Sequence, residues 1–229
     1  MNQKTGQTGA KHVLSIGAGS LQGRGIHNFF RNEGWKETRL DIDPRVKPDI
    51  LASATDLSAH VPEASCDATW SSHVLEHLFL HEVEVALAEM QRVLKPDGFA
   101  LITCPDLERI AQAITAGNLH KAAYVSPAGE ITPHDMLFGH QGSVRNGNLF
   151  MRHNTGFTAR SLGELLSKAG FEEVRVLRRS VDLWALASRA AIEPELIEGL
   201  AAAGLDFAEQ PEREVAPKPQ RAARSRARR

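Results

Sequence analysis

The run Val13-Leu14-Ser15-Ile16-Gly17-Ala18-Gly19-Ser20 limits what this chain can fold into more than any other stretch. A short apolar run predicts a buried strand, and two closely spaced glycines directly after it let the backbone turn and pass beside a ligand. Leu40-Asp41-Ile42-Asp43-Pro44 follows about two dozen residues later. A carboxylate closing the next strand can hold both hydroxyls of a ribose, so the pair points to a nucleoside-containing cofactor. A nicotinamide-binding turn would need Gly-x-Gly-x-x-Gly, whereas here Gln22 stands before a displaced third glycine, Gly23. The dinucleotide signal is weak.

Strand and helix patterns keep alternating along the chain. The apolar spacing predicts a helix over 22–32, with Ile26, Phe29 and Phe30 on one side, then a strand to Leu40. Asp49 to Ala52 predicts a short third strand and Asp67 to Ser71 a fourth, while Val83, Leu87, Met90 and Leu94 share a helix face closed by Lys95-Pro96-Asp97-Gly98. A buried strand, Phe99 to Thr103, follows. From Cys104 to Phe157 the pattern loosens, with short helices expected over 107–116 and 133–138. Thr158 predicts the N-cap of a helix that stops at Gly170, two strands follow near 174–177 and 183–187, and a small helix is expected over 194–203. This order implies an α/β fold with a mainly parallel sheet covered on both faces, and ligands of such sheets bind beyond the carboxyl ends of the strands.

With 229 residues, 42% of them hydrophobic, the chain can bury one sizeable core. Cys66 and Cys104 match no metal or redox spacing and read as ordinary thiols of a reducing compartment. The N-terminal residues are polar, and no stretch approaches membrane-spanning length, so a cytoplasmic protein is expected. Net charge is −1, and setting aside Lys218, Arg221, Arg224, Arg226, Arg228 and Arg229 leaves −7 for the rest. Such a basic end suits either a disordered solvated tail or contact with nucleic-acid phosphates.

Taken together, Val13 to Gly19, Leu40 to Pro44, the run Asp67-Ala68-Thr69-Trp70-Ser71-Ser72-His73-Val74-Leu75-Glu76-His77-Leu78, and Arg92 to Phe99 resemble the successive motifs of class I S-adenosylmethionine-dependent methyltransferases. The resemblance covers residues 11–104 closely and 156–188 more loosely. It implies a Rossmann-like, doubly wound sheet with an antiparallel last strand and a long insertion after strand five. The division expected is a flexible N-terminus (1–10), a methyltransferase domain (11–205, with an insertion or lid at about 105–157) and a disordered basic tail (206–229). By the same resemblance Gly17, Ala18 and Gly19 would pass the methionyl part of S-adenosylmethionine, Asp41 would take the ribose hydroxyls and Ile42 would pack on the adenine. Ser72 and His73 would line the site below the methionine. The family often carries an acid where Ser15 stands, a third glycine at Leu21 and an Asp at Ser53, so Asp56 becomes a candidate for the adenine contact.

Methyl transfer is an in-line displacement whose catalysis comes largely from positioning, and a base is needed only where the acceptor holds a proton. The insertion is rich in groups able to meet an acceptor: His120, Tyr124, His134, Asp135, His140, Gln141, Arg145, Asn148, His153 and Asn154. His134 beside Asp135, or His140, is the expected base or acceptor contact. His77, next to Glu76, reads as architectural, and His73, His77 and His81 lack a completing carboxylate or cysteine set, so no metal is expected. The reading is a methyltransferase, a transferase acting on a small-molecule acceptor held under the insertion. Two alternatives remain: a non-catalytic cofactor-binding or regulatory protein of the same fold, and a nucleic-acid or protein methyltransferase using the basic tail. The chain lacks the Asn/Asp-Pro-Pro-aromatic signature after strand four, which weighs against acting on bases.

Overall fold

The computed structural model describes residues 9–20 and 25–208. The start of the expected first helix, Leu21 and the basic tail from Lys218 lie outside the described residues. In chain order the elements are β1 (Lys11–Ile16), β2 (Trp35–Asp41), β3 (Ile50–Leu51), β4 (Cys66–Ser72), α1 (Leu80–Val93), β5 (Leu94–Pro105) and α2 (Leu107–Thr115). They continue with β6 (Tyr124–Ser126), β7 (Gly129–Ile131), α3 (Pro133–Phe138), α4 (Gln141–Arg145), α5 (Ala159–Lys168), β8 (Glu173–Arg179), β9 (Asp182–Ser188) and α6 (Pro194–Ala202).

Seven strands form one sheet in the order β3-β2-β1-β4-β5-β9-β8. The first five pair in parallel, and β9 runs antiparallel to both β5 and β8. The sheet is the Rossmann-like, doubly wound one with an antiparallel last strand. Chain order reverses between β1 and β4, the switch point where open sheets of this kind leave a crevice.

Successive strand residues point to opposite faces, and the sequence fills both with apolar groups. Leu14, Ile16, Ala100, Ile102, Ala185 and Ala187 meet Val83, Leu87 and Met90 of α1 and Leu162 and Leu166 of α5 on one face. Val13, Ala68, Trp70, Phe99, Leu101 and Leu186 pack with Phe30, Leu200, Leu205 and Phe207 on the other. The packed chain thus runs two residues past 205.

Two expected elements change. Among the described residues of 25–32 only Asn28–Phe30 is helical, as a 3-10 turn capped by His27, because Gly25 takes φ 61° just before it. Phe30 packs edge-on against Trp35 and Phe29 lies tilted at 53° to it, so aromatic area covers that face. Leu94 leaves α1 and pairs with Cys66 at the start of β5, since Pro96 pushes Lys95 out of the helical region. Thr158 caps α5 by accepting from the Ser161 amide at 3.1 Å, and Gly170 closes that helix at φ 94°.

Between β5 and α5 the chain makes α2, the β6–β7 hairpin, α3, α4 and a 3-10 turn at Leu149–Met151. This layer has its own small core, Ile110, Ile131 and Met136, with Leu107, Ile114, Tyr124, Leu137 and Val181 against it. No helix among the described residues is long and apolar enough to cross a membrane.

Candidate active site

The carboxyl ends of β1, β2 and β4 open on a cavity of about 670 Å³, within the range of small-ligand sites. Gly17 and Gly19 follow β1 with φ 65° and 62°, the left-handed region. A Cβ on Gly17 would strike Val74 Cγ2, while one on Gly19 would meet nothing within 4 Å. The first glycine therefore permits a close approach and the second leaves the turn open. The Ala18 amide donates to Leu40 O at 3.1 Å, and the Arg39 guanidinium donates to the carbonyls of Gly19, Val46 and Lys47, holding this turn against the loop after β2.

Asp41 ends β2 at the cavity wall. Its Oδ2 accepts from the Gly19 amide at 2.9 Å and its Oδ1 from the Asp43 amide at 2.8 Å, so two backbone donors fix the carboxylate. Asp43 caps the turn Pro44–Val46 and pairs with Arg45 at 2.7 Å, and the Arg45 guanidinium holds its carboxyl below the usual range. Ile42 is 49% exposed, an apolar side chain open to the cavity beside Asp41. Of the loop after β3, Ala52, Ser53 and Ala54 line the cavity and Asp56 does not. The Ser53 hydroxyl is 2.8 Å from Thr55 Oγ1, and the Asp56 amide donates to Ser53 O, which turns the loop away before Asp56.

Ser72 and His73 lie on the floor. His73 takes φ 55° with its amide donating to Thr103 O at 2.8 Å, and its ring lies between two carboxylates, Nδ1 at 3.0 Å from Glu76 Oε1 and Nε2 at 3.7 Å from Asp182 Oδ2. Burial opposes the charged ring, but the two carboxylates outweigh it and raise the pKa to about 9. Glu76, His77 and His153 stand at the same end of the cavity. The sequence offered His153 only as one of the insertion's groups able to meet an acceptor, and gave Glu76 and His77 no chemical role. A glutamate inside the apolar run Val74 to Leu78 was the signal available, because such a carboxylate is buried only with partners.

The insertion covers the cavity through Met136, His140, Ser143 and residues 148–151, and its residues 152–154 reach the floor beside Glu76 and His77. His134 does not line it: that ring packs on His120 and Phe138, with centroids 5.2 and 5.1 Å away. Asp135 reaches the wall, but its carboxylate is taken up in local structure. Oδ2 accepts from the Thr132 amide and hydroxyl and Oδ1 from the Gln141 amide, bonds that cap α3 and join it to α4. Burial alone would raise its pKa, yet these donors bring it below the ordinary value, the wrong direction for a base. His140 caps α4, its Nδ1 accepting from the Ser143 amide at 3.3 Å, so the neutral ring carries its proton on Nε2 and offers a donor.

A doubly wound sheet, a glycine turn at the switch point and a fixed carboxylate closing the second strand together make a cradle suited to a nucleoside-containing cofactor. Residues 14–102 match the family model described as a methyltransferase domain. This match supports a class I S-adenosylmethionine-dependent methyltransferase domain over those residues, with S-adenosylmethionine as the cofactor to test against the cradle. No curated protein matches the chain. Among solved structures, the CurJ carbon methyltransferase is 13% identical with TM-score 0.52, covering 82% of this chain and 50% of its own. An O-methyltransferase family protein from Burkholderia thailandensis is 13% identical with TM-score 0.50, covering 80% of this chain and 52% of its own. A Burkholderia thailandensis 1,6-didemethyltoxoflavin-N1-methyltransferase with bound S-adenosylhomocysteine is 17% identical with TM-score 0.44, covering 78% and 70%. At these identities the likeness is one of fold. The residues present fit the cofactor: the left-handed glycines, the open side of Gly19, the anchored Asp41 and the uncovered Ile42 form a cradle with one acid and one apolar wall.

Proposed function

We propose that the protein transfers the methyl group of S-adenosylmethionine to a small-molecule acceptor held under the insertion between β5 and α5. The observation that carries this reading is the continuity of the cavity: one space runs from Gly17, Gly19 and Asp41 to Met136, His140 and His153. Bound there, the cofactor supplies an electrophilic methyl on a sulfonium. The Gly17–Gly19 backbone passes the methionyl part, Asp41 accepts from the ribose hydroxyls, Ile42 packs on the adenine and Ser53 meets its edge in place of Asp56. Ser72 and His73 line the space under the methionine, and the charged His73 keeps Glu76 ionised beside it. Of the three residues expected to act as base or acceptor contact, His140 supports orientation best, its Nε2–H donating to an acceptor oxygen or nitrogen. Positioning is the catalytic contribution this geometry supports, since neither Asp135 nor His134 offers a free basic atom to the cavity.

Calorimetric titration with S-adenosylmethionine and with S-adenosylhomocysteine tests the reading. Both should bind one per chain, and Asp41→Ala should weaken both by at least about 100-fold, because a charge-assisted pair of hydrogen bonds is lost. Binding that survives in the variant would overturn the assignment of Asp41. Labelled donor with a broad small-molecule extract then seeks the acceptor. Binding without transfer to any fraction would favour a regulatory cofactor-binding protein.

A further inference from the structure

Two segments far apart in sequence are laced together at the cavity floor. The amides of Asn154 and Thr155 both donate to Glu76 O, at 2.8 and 3.2 Å, and Asn154 Nδ2 donates to His77 O at 2.7 Å. His77 Nδ1 lies 2.9 Å from Arg152 O, and His153 Nδ1 lies 2.8 Å from Met136 O. A carbonyl oxygen only accepts, so each Nδ1 carries a proton and each neutral ring keeps its Nε2 lone pair. That backbone-oriented tautomer is the usual arrangement of metal-ligating histidines. The two rings are 4.8 Å apart between centroids. Glu76 is 1% exposed, with Oε1 on His73 and Oε2 buried without a hydrogen-bond partner. One ligand atom from each of Glu76, His77 and His153 lies within 4.8 Å of the others.

We propose that Glu76, His77 and His153 bind one divalent transition-metal ion at the floor of the cavity. The set departs from the expectation of no metal because its third member comes from the insertion, and His81 has no part in it: that ring stacks on Phe79 at the start of α1. A tetrahedral ion with ligands at about 2.1 Å needs them about 3.4 Å apart, so small side-chain movements close the site. Two imidazoles and a carboxylate suit zinc, cobalt or iron, whereas magnesium and calcium prefer an all-oxygen set. Three protein ligands leave a position for water or for an oxygen of the acceptor.

Untagged protein, dialysed against chelator and then freed of it, is titrated with Co2+ by visible absorption and with Zn2+ by calorimetry. One ion per chain is expected. His77→Asn and His153→Asn keep a nitrogen donor near the Nδ1 position, preserving the bonds to Arg152 O and Met136 O, and remove only the Nε2 ligand. Each should weaken binding by about 100-fold while circular dichroism stays native. His120→Asn with His134→Asn, a histidine pair outside the cavity, should leave it unchanged. Absence of binding by the intact protein, binding by both single variants at wild-type affinity, or equal loss in the control pair would each overturn the proposal. Should either variant lose its native spectrum, Glu76→Gln, which keeps the side-chain shape, decides the matter by the same criterion. The measurement uses no cofactor, so its outcome is separate from that of the methyl-transfer reading.

Discussion

At Gly17 the backbone stands at φ 65° with Val74 Cγ2 occupying the place of a missing Cβ. Gly17→Ala therefore adds both left-handed strain and a collision, and should cost about 1–2 kcal/mol of stability and weaken S-adenosylmethionine at least about tenfold. Gly163→Ala is the matched control, since its Cβ would sit 3.8 Å from Val176 in the middle of α5, where alanine favours the helix. Thermal melts and calorimetry on the two variants give the comparison, and equal cofactor affinity would refute the role of Gly17. The glycine turn and Asp41 were legible in sequence because local chemistry dictates them: only glycine accepts that φ cheaply, and a carboxylate after a strand has few other partners. The roles of His134, Asp135 and His140 were not. A histidine or aspartate at an N-terminal turn can face a ligand or cap a helix, and Thr132 and Ser143, which decide between these, act through geometry that composition does not carry.

Among the elements, the insertion is the one whose stability stands most apart from the sheet. Its core is Ile110, Ile131 and Met136, against the two large clusters that sandwich the strands. Met136→Ala should destabilise it by about 2–3 kcal/mol. Hydrogen exchange should then rise over 107–157 while β1, β4 and β5 keep their protection, and a uniform rise would show that insertion and sheet unfold as one unit. The caps of α2 and α3, Asp106 and Thr132, emerge from the structure, whereas helix α5 was readable because it begins at the capping residue Thr158. The first crossover was not, because the apolar spacing of Ile26, Phe29 and Phe30 serves an aromatic cluster with Trp35 as well as it would serve a helix.

Across the whole molecule, acid stability depends on carboxylates that fasten elements together. Glu173 on β8 accepts from the Ile192 amide at 2.7 Å and pairs with Arg175, and the Ile192 amide chiefly holds its pKa below the ordinary value. A group depressed in the folded state stabilises above its unfolded pKa, about 4.3, and that contribution is lost as pH falls through the lower folded value. Glu173→Gln should thus cost about 1 kcal/mol at pH 7, with the melting difference from wild type shrinking below about pH 4. A constant difference across pH would show that the charge of Glu173 is immaterial. By itself the sequence determined the alternation of strands and helices, the glycine turn and the acid that ends β2, because periodicity, φ preference and capping act over a few residues. Only the tertiary structure decided which side chains meet: the hydrogen bonds of residues 152–155 to Glu76 and His77 bring His153 to the cavity floor, and the packing of His134 on His120 and Phe138 keeps that ring out of it. Such contacts join residues far apart along the chain, and their free energy depends on distances that no local pattern records.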